Sequence, residues 1–277
     1  MNKSVKAFAP GNISCIFVIK KTKNPVKSGS LGIGFTIGKG VVVAIKKSSN
    51  NKNKILFHNK EINFKTVNSV IKKLTNEKLI VNIKSELPLG SGFGISGAIA
   101  LAASYAINKL LNLKKSKKEL AFIAHLAEIE NMSGLGDVIN QFYGGFLVKY
   151  QSSYMFKVKK LPIKNKLIYY RHFSNLDTRK TISNKKIKSK INKAGLESLN
   201  KLKKLKKLNL KGLIKISKEF SMQSGLLKDK KVIKTIKNIE KNNGNASMIM
   251  LGNAVFSDKK FKGSKKLMIK DKGACLL

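Results

Sequence analysis

The sequence predicts an α+β protein built as two lobes, and three observations carry that prediction. Apolar strand-like runs and helical periodicities follow one another in mixed order, without strict βαβ alternation. A glycine-dense loop, residues 88–97, joins a strand to a helix that is apolar nearly all round. Beyond Tyr150 the chain turns more cationic and poorer in glycine, which places a soft boundary there and divides it into residues 1–150 and 151–277. A length of 277 residues suits one large domain or two modest lobes, and 42% hydrophobic content suffices for a real core.

The elements follow in order. Residues 5–8 and 13–19 read as short strands broken by Pro10-Gly11, and residues 28–34 as a glycine-rich turn. Residues 41–45 form another apolar strand. Val67, Val70, Ile71 and Leu74 have helical spacing, and residues 79–83 are a strand. Residues 95–111 form a buried helix. Ser116 and Glu119 have capping-box spacing and open a helix to about Glu130. Residues 167–170 read as a strand. Residues 196–213 form a Lys/Leu helix pair, with Leu199, Leu202, Leu205 and Leu208 recurring every third residue. Residues 230–242 are a further helix, and residues 248–251 and 267–269 are strands.

Lysine and arginine number 57 against 14 acids, a net charge of +43. The cations are spread over nearly the whole chain among Asn and Ile, without interleaved aromatics, a pattern that fits a biased composition better than a base-stacking platform. That charge would still draw anionic substrates and bind polyanions at low salt. Cys15 and Cys275 form no pair motif, which excludes a disulfide framework and a cysteine zinc site. No apolar run reaches the roughly 18 to 20 residues that span a membrane, and no signal peptide is visible, so a cytoplasmic location is expected.

The chemistry concentrates at Pro88-Leu-Gly-Ser-Gly-Phe-Gly-Ile-Ser-Gly97. Glycines let backbone approach a ligand closely, and the helix that follows offers free N–H groups and the positive end of its dipole. The combination predicts a phosphate site. Gly92 to Gly97 also matches the dinucleotide fingerprint, but Glu119 lies in a helix and not at the end of a second strand. Acids are scarce, so their positions inform. Glu128 ends one helix, and Asp137 follows Ser133-Gly-Leu-Gly and precedes another. Phosphoryl transfer needs a carboxylate for magnesium and a group that orients or deprotonates the attacking hydroxyl; Glu128 and Asp137 are candidates for these two roles. A helix-end acid and a helix cap are the plainer readings of the same residues. Glu130 is read as a solvated acid and His125 as a core or surface histidine.

Together these elements resemble the GHMP kinases, the superfamily of galactokinase, homoserine kinase and mevalonate kinase. Ala9-Pro10-Gly11-Asn12-Ile13, the loop from Pro88 to Ala98 and the stretch Gly244 to Asn253 stand in the order of the three superfamily motifs. Within it, Gly29-Ser30-x-Gly32-x-Gly34, Ser133-Gly-Leu-Gly-Asp137-Val, Gln141 with Gly144-Gly145, and Ala246-Ser-Met-x-Met-Leu-Gly252 are most similar to the archaeal pantoate kinases. The resemblance implies a two-lobed fold with the active site between an ATP-binding lobe and a C-terminal lobe, and phosphorylation of pantoate by ATP in coenzyme A synthesis. It implies that Pro88, Gly90, Ser91, Gly92, Phe93, Gly94, Ser96 and Gly97 hold ATP, that Ser96 and Glu128 bind Mg2+, and that Asp137 acts on the substrate hydroxyl. Asn12 and Gly252 enter as acceptor-site candidates through their motifs, and Arg179 because arginine suits a carboxylate. Mevalonate kinases carry a lysine where Asn12 stands, so a charged partner for Asp137 has to come from elsewhere; Lys6 or another lysine is the candidate.

The expected partners are thus pantoate and ATP, with no dedicated nucleic acid and no membrane; a homodimer is left open. The alternatives are another kinase of the superfamily, acting on shikimate, homoserine or mevalonate, then a basic nucleic-acid-binding protein, then a Rossmann-type reductase.

Overall fold

A computed structural model describes residues 4–163, 165–176, 183–205 and 208–277. Among these residues the first sheet has eight strands. Its spine runs β12 (Cys275–Leu276), β1 (Val5–Lys20), β2 (Gly29–Lys47), β5 (Leu79–Ser85), β3 (Lys54–Phe57) and β4 (Lys60–Glu61), while β6 (Phe146–Lys149) pairs with β2 and with β7 (Lys159–Leu161). Among the described residues, β3 and β5 are the strands that pair in parallel, and α1 (Lys65–Leu74) crosses between them. The second sheet orders β11 (Lys265–Met268), β8 (Leu167–Ser174), β10 (Asn253–Ser257) and β9 (Ala246–Met248).

Two expectations about the first strands are corrected. Pro10-Gly11 does not break the chain: β1 runs unbroken over 16 residues and absorbs the proline at a register shift between Pro10 and Asn12. A proline lacks only its N–H donor, so a bulge accommodates it. The glycines from Gly29 to Gly34 are not a turn but the start of β2. A Cβ on Gly32 would sit 2.1 Å from the carbonyl oxygen of Ile16, so the close approach of β1 and β2 requires glycine there. The Lys/Leu stretch also divides differently: α5 (Lys185–Lys204) ends before Leu205, and α6 (Leu210–Gln223) starts after Leu208.

Helix α2 (Ile95–Leu111) is the centre of the core. Residues Ala98 to Ala103 are all fully buried, and the small side chains let the helix lie against the first sheet and against α3 (Lys117–Glu130) at once. Ser116 caps α3 with the full reciprocal box to Glu119. Helix α4 (Asp137–Tyr143) follows, and α7 (Lys230–Lys241) covers the second sheet. Phe35 joins the sheets: it stacks on Phe146 at 5.0 Å and meets Phe256 of β10 edge-on at 6.0 Å. Among the described residues no helix is long and apolar enough to cross a membrane, and both cysteines are free.

Candidate active site

The glycine loop, the turn before α4 and the turn between β9 and β10 line one cleft of about 90 Å³. In the loop, Gly90, Gly92 and Gly94 take φ of +71°, +82° and +63°. Residues of this hand, alternating with ordinary ones, curl backbone N–H groups toward one side, which is the geometry of an anion nest. Gly94 is also the N-cap of α2, and no side chain caps that helix end. Its first N–H groups therefore face the cleft as donors.

The predicted loop residues divide by what they offer. Gly90 to Ser96 line the cleft, whereas Pro88 and Gly97 lie outside its lining. The Pro88 carbonyl accepts the hydroxyl of Ser91 and tightens the turn. The Phe93 ring is fully buried edge-on against Tyr170 of β8, so only its backbone is offered to a ligand. Gly97 makes room for an acid: a Cβ there would lie 2.7 Å from Glu128 Oε2. Gly252 supports the loop, since a Cβ on it would lie 2.1 Å from the carbonyl oxygen of Ser91. Arg179 lies outside the described residues.

Glu128 and Asp137 both line this cleft. Glu128 is 1% exposed, and Ser133 Oγ donates to its Oε1 at 3.1 Å. Burial pushes its carboxyl up to about 8; the nearby Asp137 adds to this, and the hydroxyls of Ser96 and Ser133 oppose it. Glu128 Oε2 and Ser96 Oγ are both buried without a completed hydrogen bond. Two orphaned hard oxygens lining the same cleft are a donor set that suits Mg2+, which takes a few protein oxygens and fills its shell with water and phosphate. Glu130, by contrast, points outward to an ion pair with Lys73 at 2.8 Å.

Asp137 is the first residue of α4 and is partly exposed. Asn12 Nδ2 donates to its Oδ1 at 2.7 Å and Ser14 Oγ donates to the same oxygen at 3.1 Å. Burial raises its carboxyl, and Lys149, Ser14 and Asn12 pull the other way. Lys149, the last residue of β6, is 3% exposed and donates to the Gly136 carbonyl at 2.8 Å and to Asn140 Oδ1 at 3.2 Å. Burial lowers its ammonium to about 8 and the charge of Asp137 opposes that. His125 is buried and pushed down to about 4 by burial, against a contact from its Nε2 to the Ser28 carbonyl at 3.3 Å.

Sequence reasoning missed Ser14, Asn140 and Lys149. Asn140 stands one helical turn after Asp137 and Ser14 two residues after Asn12, which are spacings that a search around the named residues would reach. Lys149 carries no such signal among 57 basic residues, except that it closes the apolar run Phe146-Leu-Val.

Residues 62–145 match the family model of the GHMP kinases N terminal domain. The chain is 35% identical to the pantoate kinase of Methanocaldococcus jannaschii over 90% of both chains. It is 30% identical to the pantoate kinase of Methanospirillum hungatei over 91% of this chain and 86% of the other. In three dimensions it superposes on a phosphotransferase related to the CoA biosynthesis pathway with a TM-score of 0.86, covering 99% and 98% of the two chains at 22% identity. Similarity at this level along nine-tenths of the chain, on a shared fold, places the chain in the pantoate kinase family of the GHMP kinases.

Proposed function

We propose that the protein transfers the γ-phosphoryl group of ATP to a hydroxyl of pantoate, giving 4-phosphopantoate and ADP in coenzyme A synthesis. The observation that carries this is the position of Asp137 in the wall of the same cleft that the glycine nest opens into. The nest and the free end of α2 hold the phosphates through backbone N–H groups. Ser96 and Glu128 hold Mg2+, which neutralises charge on the phosphates when bound. A metal would favour ionised Glu128, which the protein alone disfavours.

Asp137 takes both of its donors on Oδ1. Its Oδ2 is then the oxygen that orients the acceptor hydroxyl and receives its proton. The hydroxyl oxygen forms a bond to the γ-phosphorus as the bridge to ADP breaks, and the bond electrons leave with ADP. Asn12 serves the acceptor side through Asp137, whereas Gly252 serves the nucleotide side by keeping the turn against the phosphate loop. In this reading residues 1–150 supply the nucleotide side. Residues 151–277 close the cleft through Met250 and Leu251. The reaction belongs to the cytoplasm.

An ADP-release assay over pantoate, homoserine, mevalonate and shikimate tests the acceptor. Turnover is expected with pantoate above all; turnover of another acceptor and none of pantoate would overturn the assignment.

A further inference from the structure

We infer that Lys149 sets the orientation of the Asp137 carboxylate through a relay of two buried asparagines, although Lys149 and Asp137 share no hydrogen bond among those described. The relay begins at an atom with no choice: an ammonium only donates. Lys149 Nζ lies 3.2 Å from the side chain of Asn140, so the amide must turn its oxygen toward the lysine. Asn140 Nδ2 then points the other way and donates to Asn12 Oδ1 at 2.8 Å. That contact orders the second amide in turn, and Asn12 Nδ2 donates to Asp137 Oδ1 at 2.7 Å.

Each amide alone has two orientations, and the two ends select the same one: the ammonium only donates to Asn140, and the carboxylate only accepts from Asn12. Reversing Asn12 would put its oxygen against the carboxylate oxygen, a contact of two acceptors. Burial removes the escape. Asn12, Asn140 and Lys149 are 0%, 1% and 3% exposed, so bulk water does not replace a lost partner. The relay spans three elements, β6, α4 and β1. It is also tied to the nest, because the backbone N–H of Asn12 donates to the Phe93 carbonyl at 2.8 Å. With Ser14 Oγ as the second donor beside the relay, Oδ1 of Asp137 is saturated and Oδ2 is presented to the acceptor. Asn12, Asn140 and Lys149 are positioning residues, and their effect belongs in kcat. This inference rests on the proposed role of Asp137.

The test is Asn140→Asp, which keeps size and accepts from Lys149 but has no donor for Asn12. Asn12 should then reverse toward the new carboxylate and turn its oxygen on Asp137. The expected result is a kcat lower by about tenfold to a hundredfold with the KM for ATP unchanged. A double-mutant cycle of Lys149→Met and Asn12→Ala gives the second readout, with melting curves to confirm folding. Through the relay these residues act as one unit, so the combined loss in kcat should be clearly smaller than the product of the single losses. A kcat for Asn140→Asp within twofold of the parent, multiplicative losses in the cycle, or a Lys149→Met effect confined to the KM of the acceptor would each overturn the relay. If Asn140→Asp does not fold, the cycle decides. Asp137→Asn in parallel separates the layers: full turnover there removes the role of Asp137 itself, whereas an inactive Asp137→Asn beside a normal Asn140→Asp removes only the relay.

Discussion

The cleft at the glycine nest measures about 90 Å³, whereas the cavity between α7 and the second sheet measures about 760 Å³ and is lined by Arg171 and six lysines. By size and charge the second would be the better anion site. Its seven cations are all exposed, however, and the described contacts of Arg171 are a 3.3 Å bond to the Lys262 carbonyl and the face of Phe173. Charges of this kind stay solvated and attract any polyanion weakly. The small cleft has backbone donors aimed inward, a carboxylate that burial has made reluctant to ionise, and two oxygens without partners. The difference teaches that organised, desolvated polarity, and not abundance of charge, is what singles out the cleft proposed for phosphoryl transfer.

The sharpest way to break the comparison is Asp137→Asn. Removing an acid–base group costs roughly two to four orders of magnitude in rate. We expect a fall of that size in kcat with ATP binding retained, read by ADP release and by calorimetric titration. Turnover within tenfold of the parent would remove the cleft's claim to the chemistry.

Gly252→Ala asks whether the second sheet shapes the nest. The added methyl would meet Ser91 backbone at 2.1 Å, so the turn or the loop must move. A displacement of about 1 Å is enough for rate effects on the order of a hundredfold, and we expect the KM for ATP to rise and kcat to fall together. Unchanged kinetics would show that the turn yields without disturbing the nest.

A third test uses pH. The folded-state carboxyl of Glu128 lies at about 8 against an ordinary 4.5. Between those values the folded protein keeps a proton that the unfolded chain releases. The contribution to stability is therefore complete below 4.5, declines as pH rises, and is gone above about 8. In chelator, Glu128→Gln should gain melting temperature over the parent progressively from pH 5 to pH 8. A difference that stays flat with pH would show that Glu128 is not desolvated as the cleft requires.

Much of this site was legible in the sequence because it is carried by residues with few alternatives. An apolar run such as Ile95 to Leu111 has only the core to go to, and the helix has those bounds. Ser116 with Glu119 leaves little choice of helix start. Acids are scarce in this chain, which sets Glu128 and Asp137 apart, and both line the cleft. Glycine was less legible because it has two uses that look alike in sequence. Gly29 to Gly34 allow two strands to approach, while Gly90, Gly92 and Gly94 supply positive φ, and nothing local separates the cases. The register shift that lets β1 pass Pro10 depends on pairing with β2, more than twenty residues away in sequence. Lys149 was hidden by composition: one lysine stands out in a sequence only where lysines are few, and this chain has 57 basic residues.

The smallest expected effect tests the larger cavity. Lys231→Gln, Lys234→Gln and Lys259→Gln combined remove three of its exposed cations, all distant in role from the chemistry. Turnover should stay within twofold of the parent. Binding of single-stranded RNA should already be weak at physiological salt, because counterion release makes a diffuse contact fade steeply as salt rises. The triple variant should lower the slope of log affinity against log salt by about 2, the value for three fewer phosphate contacts on a single strand. If the parent instead holds RNA tightly at physiological salt and the triple variant loses it, the cavity is a dedicated polyanion site. Abundance of charge would then have marked a function after all, beside the one that buried polarity builds.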